Sequence, residues 1–229
     1  MKRLSAVLAV LLAVLSVPAL AEEATGAADA LSSLSQEQVI SDDCTPARVL
    51  ELCRAMVPAD VVIGGRVNRR SRHGRTVASY GFVLKRRAGV TELELRDEKG
   101  EAVAFEKGGR ILDTDLTWND LAMDFLWWKD VSFDEKAEAE SMSGILCKVL
   151  FLKQGDHAYR AWIDRRTGAM LQANELVLKD GVWTTVREVF CTSLKKFGER
   201  WAPKNIEVGP TNGPKYRTKI VIESVEDLK

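Results

Sequence analysis

Few side chains in this 229-residue chain are placed to do chemistry. There are only two histidines, His73 in an arginine-rich turn and His157 in another turn. Placed in turns, neither resembles a positioned general base. Asp113, Asp115, Asn119 and Asp120 are oxygen ligands spaced as if for a hard cation. The sixth position from Asp113 is Trp118, however, where a calcium loop needs glycine, and no glutamate stands at the twelfth. Ser141-Met142-Ser143-Gly144 has no base nearby in sequence, and GxSxG, P-loop, GxGxxG and HExxH motifs are absent. Cys44, Cys53, Cys147 and Cys191 match neither zinc-ligand spacing nor a CxxC redox pair. No catalytic residue, metal or cofactor is therefore expected. The carboxylates are read as solvating a turn and complementing a helix N-terminus.

The elements around those carboxylates are more informative. Leu112 to Trp128 reads LDTDLTWNDLAMDFLWW. Trp118, Leu121, Ala122, Phe125 and Leu126 follow the i, i+3, i+4, i+7, i+8 spacing of one helix face. Thr117 with Asp120 forms a weakened capping box at its start. Such a helix either covers the core of a β-rich domain or lines and gates an apolar cavity. An earlier helix is expected from Pro46 to Met56, with Thr45 as N-cap, proline at the first helical position and Val49, Leu52, Cys53 and Met56 on one face.

Residues 1–21 combine Lys2 and Arg3, an apolar run and the small-residue ending Ala19-Leu20-Ala21. They read as a cleaved secretory signal peptide, which implies export. Residues 22–43 are polar and small, partly mobile, with Leu31, Leu34, Val39 and Ile40 as a weak helical pattern. Residues 44–229 then form a single domain. Without its leader the chain has 208 residues and 31 basic against 33 acidic side chains, a formal charge of −2. Attraction to nucleic acid is not indicated. Arg66, Arg69, Arg70, Arg72 and Arg75, followed by Lys85, Arg86 and Arg87, make one basic stretch. It reads as a solvated hairpin face, or as a docking patch for an acidic partner or an anionic surface.

From Val61 onward, turn signals at Arg72-His73-Gly74, Arg87-Ala88-Gly89, Asp97 to Gly100 and Lys107 to Gly109 separate strand-like runs. Thr91, Leu93 and Leu95 alternate with Glu92, Glu94 and Arg96, so one face of that strand is covered. Further strands are expected over Ile145–Leu152, Ala158–Ile163, Met170–Leu178, Val182–Cys191, Trp201–Val208 and Tyr216–Val225. Asp180-Gly181 signals a type I′ hairpin between two of them. Ile145 to Leu152 is apolar on both sides except at Lys148, so both of its faces are covered or one meets a cavity. The architecture that fits is mainly β: an antiparallel, unclosed half-barrel of about ten strands with helices on its concave apolar side. Four cysteines allow two disulfides in three connectivities. A 44–53 bridge is disfavoured, because about seven helical residues separate the pair by roughly 10 Å, beyond the usual 4.4 to 6.8 Å or so of a disulfide. Free buried thiols are the alternative, since cysteine packs well as a small hydrophobe.

The order of these pieces, with ILDTDLTWNDLAMDFLWW, then GILCKVLFL, YRAWIDRRTGAMLQANEL and YRTKIVIESVED, resembles the outer-membrane lipoprotein-sorting proteins, in particular divergent LolA-like periplasmic carriers. The resemblance spans Cys44 to Lys229. It implies a monomer in the periplasm whose concave face accepts acyl chains of lipoproteins or other lipids, handed between inner- and outer-membrane proteins, without catalysis. Leu52, Met56, Leu93, Leu95, Trp118, Leu121, Phe125, Leu126, Trp127 and Trp128 are the candidate cavity and lid residues. The arginine that closes the lid in better-known carriers has no match placed by sequence. A non-transporting envelope sensor of the same architecture is the alternative.

Overall fold

The computed structural model describes residues 39–57, 60–71, 73–87, 90–106, 109–135, 141–142, 144–198, 200–211 and 218–228. The leader, residues 22–38, Arg72, the turn residues Ala88, Gly89, Lys107 and Gly108, and also Ser143 and Tyr216 lie outside them. One sheet dominates: β1 (Val61–Arg70), β2 (Thr76–Arg87), β3 (Val90–Arg96), β4 (Asp130–Phe133), β5 (Ser141–Met142), β6 (Ile145–Gln154), β7 (His157–Asp164), β8 (Met170–Lys179), β9 (Val182–Phe197), β10 (Arg200–Pro210) and β11 (Thr218–Asp227). Its order is β3-β2-β1-β11-β10-β9-β8-β7-β6-β4, with β5 also on β6, and every pairing is antiparallel. The sheet does not close on itself, so β3 and β4 are its edges.

Local chemistry sets much of this register. Asp180 and Gly181 take φ of 50° and 77°, as a type I′ turn requires, and Lys179 faces Val182 across them. β1 lies beside β11, with Val61 opposite Asp227. At the bulge between Gly64 and Gly65 the two strands approach closely. A Cβ on Gly65 would sit 2.2 Å from the Val221 carbonyl oxygen.

One apolar cluster fills the concave side. Val67, Phe82, Leu84, Leu95, Leu150, Leu152, Tyr159, Ala161, Ile163, Val208 and Ile220 come from the sheet. Ile40, Val49, Leu50, Cys53, Ile111, Leu116, Leu121, Phe125 and Leu126 come from the segments that cover it. The helix Pro46–Ala55 forms as its sequence dictates: the Thr45 hydroxyl accepts from the Arg48 N–H at 3.3 Å, and Val49, Leu50 and Cys53 are buried. It packs over β4 and β6. β6 is covered on both faces. Leu150 and Leu152 join the main cluster, while Cys147 and Val149 join a smaller one with Trp162 and Leu171.

One expectation needs correction. The helix over 118–126 is not continuous: Trp118–Ala122 is helical, Met123 turns left-handed at φ 53°, and Asp124–Trp127 is a 3-10 turn. The sheet holds eleven strands among the described residues, in keeping with the expected unclosed half-barrel of about ten.

Candidate functional site: an arginine-clamped cover on the concave face

Residues 109–128 cross the concave face as a compact cover. It is tied first at its loop. The Ile111 N–H donates to the Leu116 carbonyl at 2.7 Å, and the Asp115 N–H donates to the Thr218 hydroxyl of β11 at 2.9 Å. Asp113 pairs with Arg69 at 2.6 Å. Trp118 stacks on Phe105, ring centres 6.0 Å apart, and its indole N–H donates to Asp124 at 3.1 Å. Beneath the cover Phe125 stacks face to face on Tyr159 at 4.1 Å, and Trp128 meets the same ring edge-on at 5.6 Å.

Besides Arg69, three further arginines from three different elements hold this segment down. Arg187 of β9, 4 % exposed, makes five hydrogen bonds. Its Nη1 donates to Asp120 and to the Asp115 carbonyl, both at 2.6 Å, and its Nη2 to Asp120 and Thr117, both at 3.2 Å. Its Nε donates to Glu175 of β8 at 2.6 Å. Arg86 of β2 donates to the Ala122 carbonyl, and its guanidinium lies 5.5 Å from the Trp127 ring centre. Arg54, in the last turn of the Pro46 helix, donates to the Leu126 carbonyl at 2.6 Å and the Trp128 carbonyl at 3.5 Å. Ala122 and Leu126 end or nearly end their short helical pieces. Their carbonyls lack intrahelical donors and carry the negative end of the local dipole, so a guanidinium suits them.

The electrostatics follow from burial. Burial works against a charged Arg187, but Asp120, aided by Glu175, outweighs it and raises the guanidinium above its ordinary value. Burial lowers that of Arg86, with Asp124 opposing. Burial, then Asp120 and Glu175, push the Tyr159 hydroxyl upward. That hydroxyl is buried beside Arg187 and finds no acceptor for its proton among the described residues. Burial raises Asp115 against the pull of Arg110, at 3.5 Å, and Arg187.

The sequence-derived candidates fall into groups. Leu95, Trp118, Leu121, Phe125 and Leu126 are buried, and all but Trp118 belong to the main cluster. Leu52, Leu93 and Trp128 are partly buried against it. Met56 and Trp127 sit at the rim, 38 % and 47 % exposed. Arg66 pairs with Glu223, Arg69 with Asp113 and Arg70 with Glu207, whereas Arg75 is exposed. Arg86 leaves the solvated run altogether, since it faces inward. Cys44, Cys53, Cys147 and Cys191 form no disulfide. The residues missed by sequence reasoning are Arg54, Arg86, Tyr159, Glu175 and Arg187. Arg187 carried a signal: it shares a strand face with Val189, two residues on, and an ionised group in line with a core residue needs a buried partner.

No family model matches this chain, and no curated protein does. Solved structures do. A DUF1329 family protein from Desulfovibrio piger is similar at 14% identity over 80% of this chain and 94% of that one, with a TM-score of 0.58. A LolA superfamily protein from Nitrosomonas europaea matches at 12% identity over 81% and 94%, TM-score 0.60. A structure described as an outer membrane lipoprotein-sorting protein domain from Vibrio parahaemolyticus is similar at 11% identity over 78% of this chain and 91% of that one, TM-score 0.56. An unclosed antiparallel sheet with an apolar cover on its concave side is thus, in this chain, a divergent LolA-like fold.

Proposed function

We propose that this chain is an exported, periplasmic carrier that takes an acyl chain of a lipoprotein or a related lipid onto its concave face when the 109–128 cover swings away. One observation carries the reading. The apolar cover fills the half-barrel, yet it is fastened by arginine clamps and side-chain stacking rather than by strand pairing into the sheet. Segments held in this way open at lower cost than strands, whose ladder bonds must break together.

Leu121, Phe125 and Leu126 then act as a self-ligand. In the empty state they keep the concave side chains out of water, and an acyl chain replaces them. Removal of apolar area from water, at about 25 cal/mol per Å², drives binding. Displacement of the cover lowers the net affinity, which a carrier that must release its cargo requires. Leu93, Leu95, Leu52, Met56, Trp118, Trp127 and Trp128 would line or rim the opened site. No reaction is assigned to it, and handover would need donor and acceptor proteins at the two membranes. The fold of the lipoprotein-sorting neighbours supports this reading.

Native mass spectrometry of the purified chain, with exchange of a fluorescent acyl probe, tests it. A lipid adduct together with saturable probe binding is expected. A protein that carries no adduct and exchanges no probe is not an acyl carrier.

A further inference from the structure

Resting on the carrier reading, one feature of the site points to the kind of cargo. Of the five hydrogen bonds made by Arg187, four run to the cover, at Asp115, Thr117 and twice Asp120. Only the bond to Glu175 stays with the sheet. When the cover leaves, a guanidinium in an apolar concavity loses most of its partners. If an acyl chain then excludes water, those N–H groups stay unsatisfied unless the cargo brings acceptors.

The charge count favours an anion. Arg187 pairs with two carboxylates, Asp120 and Glu175, the latter also 3.7 Å from His157 Nδ1, so the site already accommodates a second negative group. Tyr159, a residue 1 % exposed, sets its hydroxyl beside the same guanidinium with no acceptor for its own proton among the described residues, so it is a further donor. The cover itself has the form of an amphiphile. Its anion, Asp120, docks on Arg187, and its apolar part continues through Leu121 to Phe125, which lies on Tyr159.

We propose that the cargo is an anionic amphiphile, whose carboxylate or phosphate replaces Asp120 on Arg187 and accepts from the Tyr159 hydroxyl while its acyl chain takes the place of Leu121 and Phe125. A planar, bidentate guanidinium recognises carboxylate and phosphate alike. A neutral ester of the same chain length offers only uncharged acceptors.

The test compares palmitate, the lysophosphatidate bearing the same acyl chain, and methyl palmitate by isothermal titration to the full-length secreted chain, below their aggregation limits. At least one anion should bind about tenfold or more tighter than the ester, as expected for charged hydrogen bonds in a desolvated site. Comparing the two anions identifies the head group. Combining Arg187→Gln with Asp120→Asn removes the cation and its bidentate carboxylate together. Provided circular dichroism shows an intact, cooperative fold, this variant should bind the three probes within about twofold of each other. Equal binding of anions and ester to the wild type overturns the inference and leaves the carrier reading standing. A preference that persists in the double variant also overturns it, because the anion is then held elsewhere. If none of the three binds, the carrier reading itself falls.

Discussion

Replacing Asp120 by asparagine should loosen the cover without disturbing the sheet. The Asp120 carboxylate accepts from Arg187 at 2.6 and 3.2 Å, from the Thr117 N–H at 2.7 Å and from the Thr117 hydroxyl at 3.0 Å. Asparagine keeps the shape and one acceptor but turns the second position into a donor facing donors. Each charge-assisted bond is worth about 1.5–3 kcal/mol. With one of the two bonds from Arg187 broken and the other no longer ionic, closure should weaken by about 2–4 kcal/mol. Because about 1.4 kcal/mol is a factor of ten, amide exchange at Met123, Leu126 and Trp128, whose N–H groups are bonded within the cover, should accelerate by about thirty- to several-hundredfold. Amides of β7 and β8 should change little. Since apparent affinity scales with the open fraction, acyl-probe affinity should rise by a similar factor while the open state stays minor. Hydrogen exchange read by mass spectrometry, with probe titration, measures both. If cover and sheet amides accelerate together by the same factor, the segment opens only when the whole domain unfolds, and it is not a lid.

Three further outcomes follow from the same packing and burial. Phe125→Ala empties the space against Tyr159 and should lower unfolding free energy in urea by about 3–5 kcal/mol, as for other buried aromatics. The Cys53 thiol, 1 % exposed, is pushed up to about 12 by burial, so alkylation of native protein at pH 8 should leave it unmodified until denaturant is added; with no disulfide present, reductant should not move Tm. Asp115 is raised by burial in the folded state, which means its ionisation works against folding. Asp115→Asn should therefore increase Tm at neutral pH, and the gain should vanish as pH falls below the range in which the free carboxylate titrates, a trend that differential scanning calorimetry across pH would reveal.

Strand positions were legible because they depend on neighbours in sequence. Thr91, Leu93 and Leu95 alternate with charged residues and are the more buried set in β3, and Asp180-Gly181 fixes its hairpin through two left-handed residues. The cover was legible only in composition. Its five apolar residues are all buried, as helical spacing implies. Their helix nevertheless breaks at Met123, because burial is decided by what lies opposite and not by the 3.6-residue period. Lys85-Arg86-Arg87 looks uniform in sequence, yet the middle side chain points inward to a carbonyl 36 positions away. Arg187 and Asp120 are separated by 67 positions. Such pairings belong to the sheet order, in which β1 joins β11 with Val61 opposite Asp227, and periodicity within a short window carries no trace of them.

That break also explains how the cover can be clamped at all. In a continuous helix from Trp118 to Trp127, the Ala122 carbonyl would accept from an N–H one turn on, leaving Arg86 nothing to bind. With Met123 left-handed, that carbonyl is released to Arg86, and the following 3-10 turn releases the Leu126 carbonyl to Arg54. Buried ionic contacts of this kind add little to stability compared with apolar packing, but their geometry is exacting. Apolar contact alone would let the cover slide or be displaced piecemeal by any hydrophobic ligand. Clamps from the Pro46 helix, β2 and β9 instead define a single seated position, which the segment can leave while the ladder bonds of the sheet stay intact. A cover of this construction separates two tasks: apolar residues keep the concave face dry, and arginines decide when it is exposed.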